Sequence, residues 1–352
     1  MPVVVEKYPF VDQTLVGPDR ANAARRESPR ADRERWIDIG LVNNMPDSAL
    51  ESTARQFYML LSAAAQNVVV RLKFFSIPAV KRTDSGREHV SAFYSDIGDL
   101  WSGGIDGLIV TGTEPVAAEL IDEPYWGGLT EIVDWAEDSR VATIWSCLAA
   151  QAAVLHVDGI RRSPLGDKRF GVFEHRKVAG HALLRGIPPR IAAPHARWNE
   201  IPERALTSSG YAILTRSSEA GVDMFAKQRK SLMVCFQGHP EYDAETLFKE
   251  YRRDVGRFLR QESDNYPTMP SGYLDDETQD RLLAIRARAL MDRREDLLST
   301  FPSSRTIGNS PKRWQTYAVR AYRNWLAHIV AHKRARTGAA RAAPTWRSSA
   351  NG

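Results

Sequence analysis

The chain lacks the features that several broad classes of protein require. It has only two cysteines in 352 residues, which excludes a framework of disulfides and predicts two free thiols. No apolar run approaches the roughly 20 residues that span a bilayer, and the N-terminus has no charged segment followed by an apolar one. We therefore expect a cytoplasmic protein with no membrane partner.

Signatures of bound cofactors and metals are also missing. There is no phosphate-binding glycine loop and no flavin or nicotinamide fingerprint. The histidines are scattered, and His175 and His195 lack the spacing of metal ligands, so we predict no metal and no cofactor. The net charge of +5 comes from arginine-rich and lysine-rich runs at the two ends, which are typical of solvated tails. A nucleic-acid partner is not expected, because aromatic residues are not interleaved with these basic runs.

The residues that are present predict an α/β fold. Hydrophobic residues make up 43% of the chain, enough for a substantial core. After residue 35, apolar runs alternate with amphipathic segments, the pattern of a mostly parallel sheet flanked by helices. The predicted strands are 36–42, 68–76, 106–111 and 141–146, and the predicted helices between them are 49–65 and 125–136.

Composition divides the chain into four predicted parts. Prolines and glycine near residue 270 indicate a linker after a helix that ends near residue 259 and that Asp243 is expected to cap. Short strand-like pieces over 170–237 predict an antiparallel extension of the sheet. The parts are a disordered or extended segment (1–35), the main domain (36–262), a C-terminal helical appendage (263–336, with helices at 276–298 and 312–335) and a disordered tail (337–352).

Cys147 is the first candidate for catalysis. It ends the apolar run 141–147, and a helix-forming stretch, 148–155, follows at once. A helix N-terminus carries partial positive charge and free amide donors, which favour a thiolate and stabilise an oxyanion beside it. The alternative is that Cys147 is one more small buried apolar residue.

A candidate base and carboxylate follow a second apolar run. The run 231–237 breaks at Gly238, and His239 and Glu241 come directly after it. A nucleophilic thiol needs such a base and a carboxylate to orient its ring. His239 alone could be an ordinary loop histidine, but the pairing with Cys147, each residue at a predicted strand end, favours a catalytic role.

Longer motifs carry a family resemblance. They include the string Gly238–Asp243, the runs Asn44-Met45-Pro46 and 106–112, Lys168 before 171–175, and Ala193-Pro194-His195. Along the chain these motifs follow the order found in the homoserine O-acyltransferases of methionine biosynthesis, which the chain resembles over about residues 36–262. The resemblance implies a class I glutamine-amidotransferase-like, flavodoxin-like catalytic domain and a ping-pong reaction through an acyl-thioester on Cys147. The implied substrates are acyl-CoA, as a co-substrate, and L-homoserine, and a homodimer is one candidate assembly.

The resemblance also implies residues that bind the acceptor. Lys168 and Arg253 match the family's substrate-binding positions, and a guanidinium suits bidentate capture of a carboxylate. Arg253 could instead be a surface partner for Glu250 or Asp254 on its own helix. The substrate-contacting serine of the family is Ala196 here, a departure that leaves the substrate pair open.

Oxyanion and acyl positions complete the predicted site. We expect the oxyanion donors to be the Leu148 amide and an amide of the Gly112–Thr113 turn, although Gly112 could be an ordinary turn glycine. The family's acyl-selecting position falls on Val116, where succinyl-preferring members carry glycine and acetyl-preferring members carry glutamate. Valine cannot repel a succinyl carboxylate, which slightly favours the succinyl donor. A shifted loop register would bring Glu114 into the site and restore an acetyl preference.

Three other functions remain open at this stage. The acceptor could be another hydroxy amino acid such as serine. A glutamine amidotransferase-like hydrolase would use the same three catalytic residues, but Trp145 and Ala149 occupy the places where the glutaminase turn carries glycine. A catalytically silent binding protein would need none of them.

Overall fold

The computed structural model describes residues 3–5, 36–303 and 312–342. The predicted N-terminal segment therefore lies mostly outside the described residues, but its residues 3–5 form a strand. The predicted tail at 337–352 is described only as far as Ala342, to which the last helix continues. Within these ranges, no helix is both long enough and apolar enough to cross a bilayer.

An eight-stranded sheet forms the centre of the described chain. Five neighbouring pairs of strands are parallel, and two pairs at one edge are antiparallel. The prediction of a mostly parallel sheet is thus confirmed. In spatial order the strands are β1 (Val3–Val5), β3 (Val69–Phe75), β2 (Trp36–Val42), β4 (Gly107–Thr111), β5 (Ala142–Ser146), β12 (Leu232–Phe236), β11 (Met224–Gln228) and β8 (Ala212–Ile213).

A second sheet of four antiparallel strands lies between β5 and β12 in the chain. Its longest pairing joins β6 to β7, and the register shifts between Pro164 and Arg169. The antiparallel pairing predicted at 170–237 is present, but only β11 and β8 extend the main sheet, and the other antiparallel strands form this separate sheet. In spatial order the strands are β10 (Gly221–Val222), β9 (Thr215–Ser217), β6 (Ser163–Lys177) and β7 (Arg190–Glu200).

Nine α-helices are found in the described ranges. The helices are α1 (Leu50–Ala64), α2 (Asp84–Phe93), α3 (Gly98–Trp101), α4 (Trp126–Asp138), α5 (Leu148–Asp158), α6 (Glu203–Ser208), α7 (Thr246–Leu259), α8 (Asp276–Met291) and α9 (Lys312–Ala342). Short 3₁₀ helices occur at Asp47–Ala49, Leu120–Asp122, Ala182–Leu184 and Glu295–Thr300.

Capping residues explain several helix ends. Asp275 caps α8 by accepting a hydrogen bond from the Thr278 amide at 2.7 Å. The prediction for α7 needs correction, because Glu245 occupies its N-cap position. Asp243 instead accepts from the Glu245 amide at 3.0 Å and from the Thr246 hydroxyl at 2.7 Å, and so stabilises the turn before the helix.

The C-terminal helices pack in two different places. From α9, Tyr317, Tyr322 and Trp325 lie in the same apolar cluster as Ile39 of β2 and Phe57 of α1. The helix predicted as part of an appendage therefore belongs to the main core. Helix α8 lies in a separate cluster, which it shares with residues of α7 and with Trp314 near the start of α9.

The burial of Trp325 generates a prediction about stability. Its side chain is 1% exposed, so Trp325→Ala leaves a cavity in the main core and should lower the free energy of unfolding by about 3–5 kcal/mol. Trp198→Ala is the matched control, because Trp198 is 60% exposed and its loss should change stability by less than about 0.5 kcal/mol. Chemical denaturation measures both, and equal losses would contradict the placement of α9 in the core.

Candidate active site

Cys147 lies on a tight turn between β5 and α5. Its φ of 52° and ψ of −111° are unusual for a residue with a side chain, and conformations of this kind are found at functional sites. The Cys147 amide donates to the Phe236 carbonyl at 2.8 Å, which fixes the turn against the end of β12. The thiol is partly exposed, at the start of the helix, as the sequence predicted.

The second cysteine has a different environment. Cys235 lies within β12, is fully buried, and burial raises the pKa of its thiol well above the ordinary value. Both cysteines are free, as predicted. Only Cys147 combines exposure with a helix N-terminus.

His239 and Glu241 follow β12 and form a hydrogen-bonded pair. His239 Nδ1 lies 2.9 Å from Glu241 Oε1, which also accepts from the Ser146 hydroxyl at 3.3 Å. The Cys147 side chain lies close enough to the His239 ring to raise the pKa of that ring. The structure thus brings the three predicted catalytic residues into one chain of contacts.

The charges around His239 control its protonation. Burial acts to lower the pKa of His239, but the charges of Cys147 and Glu241 and the hydrogen bonds to both outweigh burial, so the pKa is raised well above the ordinary value. The protonated form of the His239 ring is therefore favoured. Arg197 adds a buried cation near enough for its charge to interact with that of Cys147.

The turn that carries His239 is held by residues that the sequence did not identify. Asp223 Oδ1 accepts from the Gly238 amide at 2.9 Å, and the His239 amide donates to the Pro194 carbonyl at 2.8 Å. A Cβ at Gly238 would lie 2.7 Å from the Pro194 oxygen, so only glycine fits there. The Gly-His dipeptide was a signal of this close approach, but nothing in the sequence pointed to Asp223.

His175 and His195 lie together in the structure, although their spacing in the sequence is not that of metal ligands. Their Nε2 atoms are 3.2 Å apart, and with Asp223 they form a buried group whose potential ligand atoms lie within 4.8 Å of one another. Arg197 Nε donates to His195 Nδ1 at 3.4 Å, and His175 Nδ1 lies 3.1 Å from the Phe173 carbonyl. One arrangement of ring protons therefore gives all four ring nitrogens a protein partner. Burial lowers the pKa of both rings, which favours their neutral forms.

A cluster of charged side chains is connected to His239 through the side chain of Tyr242. The Tyr242 ring stacks on the His239 ring with centroids 4.3 Å apart, and its hydroxyl donates to Glu250. Lys168 Nζ lies 3.6 Å from Glu250 and 2.8 Å from Asp254. Tyr242 belongs to the string that carries the family resemblance, but the sequence predicted no role for it.

Both predicted acceptor-binding cations contact the same carboxylate. Asp254 Oδ1 accepts from Arg253 Nε at 3.0 Å and from Arg253 Nη2 at 2.9 Å, while Asp254 Oδ2 accepts from Lys168. Arg253 is therefore a partner of Asp254, the alternative considered above, and also lies in the charged cluster near the catalytic residues. Ala196 pairs in register with Phe170, whose ring centroid is 4.1 Å from Lys168 Nζ, so Ala196 lies beside this cluster.

The turn after β4 approaches the start of α5. A Cβ at Gly112 would lie 2.6 Å from the Leu148 Cβ and 3.2 Å from the Ala149 nitrogen, so Gly112 is required for this contact. Gly112 and the neighbouring Thr113 therefore lie beside the helix N-terminus at Leu148, the arrangement on which the oxyanion prediction depends.

The loop beyond this turn holds the predicted acyl-selecting residues. Val116 is 76% exposed, and its amide donates to Glu123 at 2.9 Å. Glu114 accepts from both terminal nitrogens of Arg257, at 2.9 and 3.1 Å. Those hydrogen bonds are the largest influence on Glu114 and keep the pKa of its carboxyl below the ordinary value.

Comparisons with known proteins agree with the predicted family. The family model for homoserine O-succinyltransferase matches residues 5–336. The chain is similar to a homoserine O-succinyltransferase of Methylorubrum extorquens, 47% identical over 84% of this chain and 88% of the relative, and to one of Rhodopseudomonas palustris, 43% identical over 94% and 99%. A solved glutamine amidotransferase from Methylobacillus flagellatus is 14% identical, with a TM-score of 0.48 over 83% of this chain and 94% of that chain.

The two cysteine environments predict different results on mutation. Cys147→Ala should abolish acyl transfer, because it removes the exposed thiol at the helix start, whereas Cys235→Ala should retain most activity and mainly lose packing. Mass spectrometry after incubation with the acyl donor alone should show an adduct on the Cys147 peptide. An adduct on the Cys235 peptide, or full activity of Cys147→Ala, would contradict this assignment.

Proposed function

Because the chain belongs to the homoserine O-succinyltransferase family, we propose that it transfers the succinyl group of succinyl-CoA to the hydroxyl of L-homoserine. One observation carries the mechanistic part of this proposal. Cys147 lies at a helix start in contact with the hydrogen-bonded pair His239–Glu241, a nucleophile, base and orienting carboxylate in one chain of contacts.

The first half of the reaction is acylation of the enzyme. The Cys147 thiolate attacks the thioester carbonyl carbon of the donor, and the negative charge on the carbonyl oxygen is stabilised by the Leu148 amide and an amide of the Gly112–Thr113 turn. The carbon–sulfur bond to coenzyme A then breaks, and the departing sulfur takes the proton from His239. The succinyl group remains on Cys147 as a thioester.

The second half transfers the acyl group. His239 accepts the proton of the homoserine hydroxyl as the oxygen attacks the thioester, and the Cys147 sulfur leaves as a thiolate. Acylation removes the charge of Cys147, one of the causes of the raised pKa of His239. The pKa of His239 therefore falls between the two half-reactions, which turns the proton donor of the first into the base of the second. Glu241 fixes the ring, and a base placed in this way contributes roughly 10²–10⁴ in rate.

The charged cluster supports an amino acid as the acceptor. Homoserine carries both a carboxylate and an ammonium group, and a site for it needs charges of both signs. Lys168 and Arg253 supply the cations, and Glu250 and Asp254 supply the carboxylates, beside the Tyr242 ring that stacks on His239. The loss of the family's serine at Ala196 keeps serine among the acceptors to test.

The donor assignment depends on the loop after β4. Val116 has no charge to repel a succinyl carboxylate, and Arg257 occupies both oxygens of Glu114. Both features support the succinyl donor over the acetyl donor. Family membership likewise favours acyl transfer over the hydrolysis of glutamine.

A panel of substrates tests the proposed function. Succinyl-CoA and acetyl-CoA are each combined with homoserine or serine, and thiol release and product mass are recorded. The succinyl-CoA and homoserine pair should give the highest kcat/KM, and a preference for acetyl-CoA or serine would overturn the assignment.

Two variants at Val116 test, with the same panel of substrates, whether this residue selects the acyl donor. Val116→Glu should lower the succinyl-to-acetyl ratio of kcat/KM by on the order of tenfold, a moderate effect because the side chain is exposed, and Val116→Gly should raise the ratio. If neither variant changes the ratio by more than about threefold, roughly 0.65 kcal/mol, the register is wrong and Glu114 becomes the position to change.

Arg253→Lys tests the acceptor site. Lysine keeps the charge but lacks the planar fork, so the KM for homoserine should rise on the order of tenfold while acylation by the donor alone persists. Arg252→Lys is the control on the same helix, because Arg252 contacts the Leu298 carbonyl at 3.4 Å and should not alter the KM. Equal losses of acylation and transfer in Arg253→Lys would indicate a structural role.

A further inference from the structure

The two oxygens of Glu241 have unequal surroundings. Oε1 lies within hydrogen-bonding distance of both His239 and Ser146, whereas Oε2 is buried and has no hydrogen-bond partner in the part of the chain that the structure describes. A buried polar atom without a partner costs about 1–3 kcal/mol, and more on a charged group. A donor is therefore expected to face Oε2.

The hydroxyl of Tyr322 on α9 likewise lacks a hydrogen-bond partner. Its side chain is 1% exposed, and the hydroxyl is buried without a partner among the described residues. The ring is fixed by neighbours on three elements, with centroid distances of 6.4 Å to Phe57, 6.2 Å to Phe236 and 6.3 Å to Trp325. The Phe236 carbonyl accepts from the Cys147 amide, so the Tyr322 ring packs against the strand end to which the Cys147 turn is bonded.

The protonation of Tyr322 suits it to donate. Burial raises the pKa of Tyr322 well above the ordinary value, and the nearby charge of Glu241 raises it further. The hydroxyl therefore keeps its proton at neutral pH. The other titratable groups close to Glu241 are His239 on its own turn, Cys147 at the start of α5 and Tyr242, whose hydroxyl donates to Glu250.

We propose that Tyr322 is a positioning residue whose hydroxyl donates a hydrogen bond to one bridging water, which in turn donates to Glu241 Oε2. This bridge gives both buried atoms a partner and holds the carboxylate in the orientation that His239 needs. Helix α9 then supports catalysis from beneath the site without touching substrate. The inference rests on the catalytic role proposed for Glu241, and not on the identity of donor or acceptor.

Tyr322→Phe is the direct test because it removes the hydroxyl and keeps the ring. The rate of acylation, followed as the burst of coenzyme A from succinyl-CoA, should fall about tenfold, while the donor KM stays within about twofold. Removal of a hydrogen-bond donor from the neighbourhood of a carboxylate favours the protonated form in general, so the acidic limb of the pH–rate profile should move to higher pH by about half a unit or more. The midpoint of thermal unfolding should change little.

Tyr211→Phe is the matched control. Tyr211 is a buried tyrosine whose hydroxyl donates to Asp158, remote from Glu241 in its contacts, so this variant should keep the wild-type burst and pH profile. In a double-mutant cycle, Tyr322→Phe should have little further effect once Glu241→Gln is present.

Several outcomes would overturn the inference. A wild-type burst and pH profile in Tyr322→Phe would do so, as would additive effects in the cycle. If Tyr322→Phe fails to fold, a crystal structure of the wild-type enzyme decides, and a separation between the two oxygens too long for one bridging water, above about 5.6 Å, would contradict the bridge. A normal acyl adduct on Cys147 in the wild type would leave the proposed function intact in each case.

Discussion

The parallel pairing of β5 with β12 aligns Ser146 with Phe236, and the Cys147 amide extends this pairing by donating to the Phe236 carbonyl. Two chain segments that are far apart in sequence therefore end side by side, and each places its proposed catalytic residues at the same edge of the sheet. Ser146, the last residue of β5, also donates to Glu241 across this junction. A shift of one residue in the register would send the side chains of a strand to the opposite face and separate the nucleophile from its base.

Residues at this junction also control the protonation of His239. His239 is buried, which alone would favour the neutral ring, yet the combined influence of Cys147 and Glu241 prevails. In the proposed mechanism, Glu241 keeps the His239 ring oriented in both half-reactions. Acylation of Cys147 would remove one of the two influences that raise the pKa of the ring.

Local patterns in the sequence predicted much of the fold and the position of the candidate nucleophile. The apolar runs of β2, β4 and β5 were recognisable because buried parallel strands are continuously apolar. The site was predicted where a strand ends and a reactive residue follows at once, as at Cys147 and His239. Contacts made across the fold were not predictable: Asp223 beneath Gly238, the pairing of His175 with His195, and the place of α9 in the core. Those contacts depend on tertiary packing, and the spacing of the residues in the sequence does not predict them.

The turn at Cys147 also differs from the glycine-flanked glutaminase turn considered at the outset. Trp145 and Ala149 occupy the flanking positions and are buried, yet Cys147 still adopts a positive φ. The space that flanking glycines would provide is supplied from a neighbouring strand, because Gly112 after β4 has no side chain to clash with Leu148. The same contact brings the Gly112 turn to the N-terminus of α5. One glycine on β4's loop thus permits both the close packing of the turn and the approach of a second amide to the place where the proposed oxyanion forms.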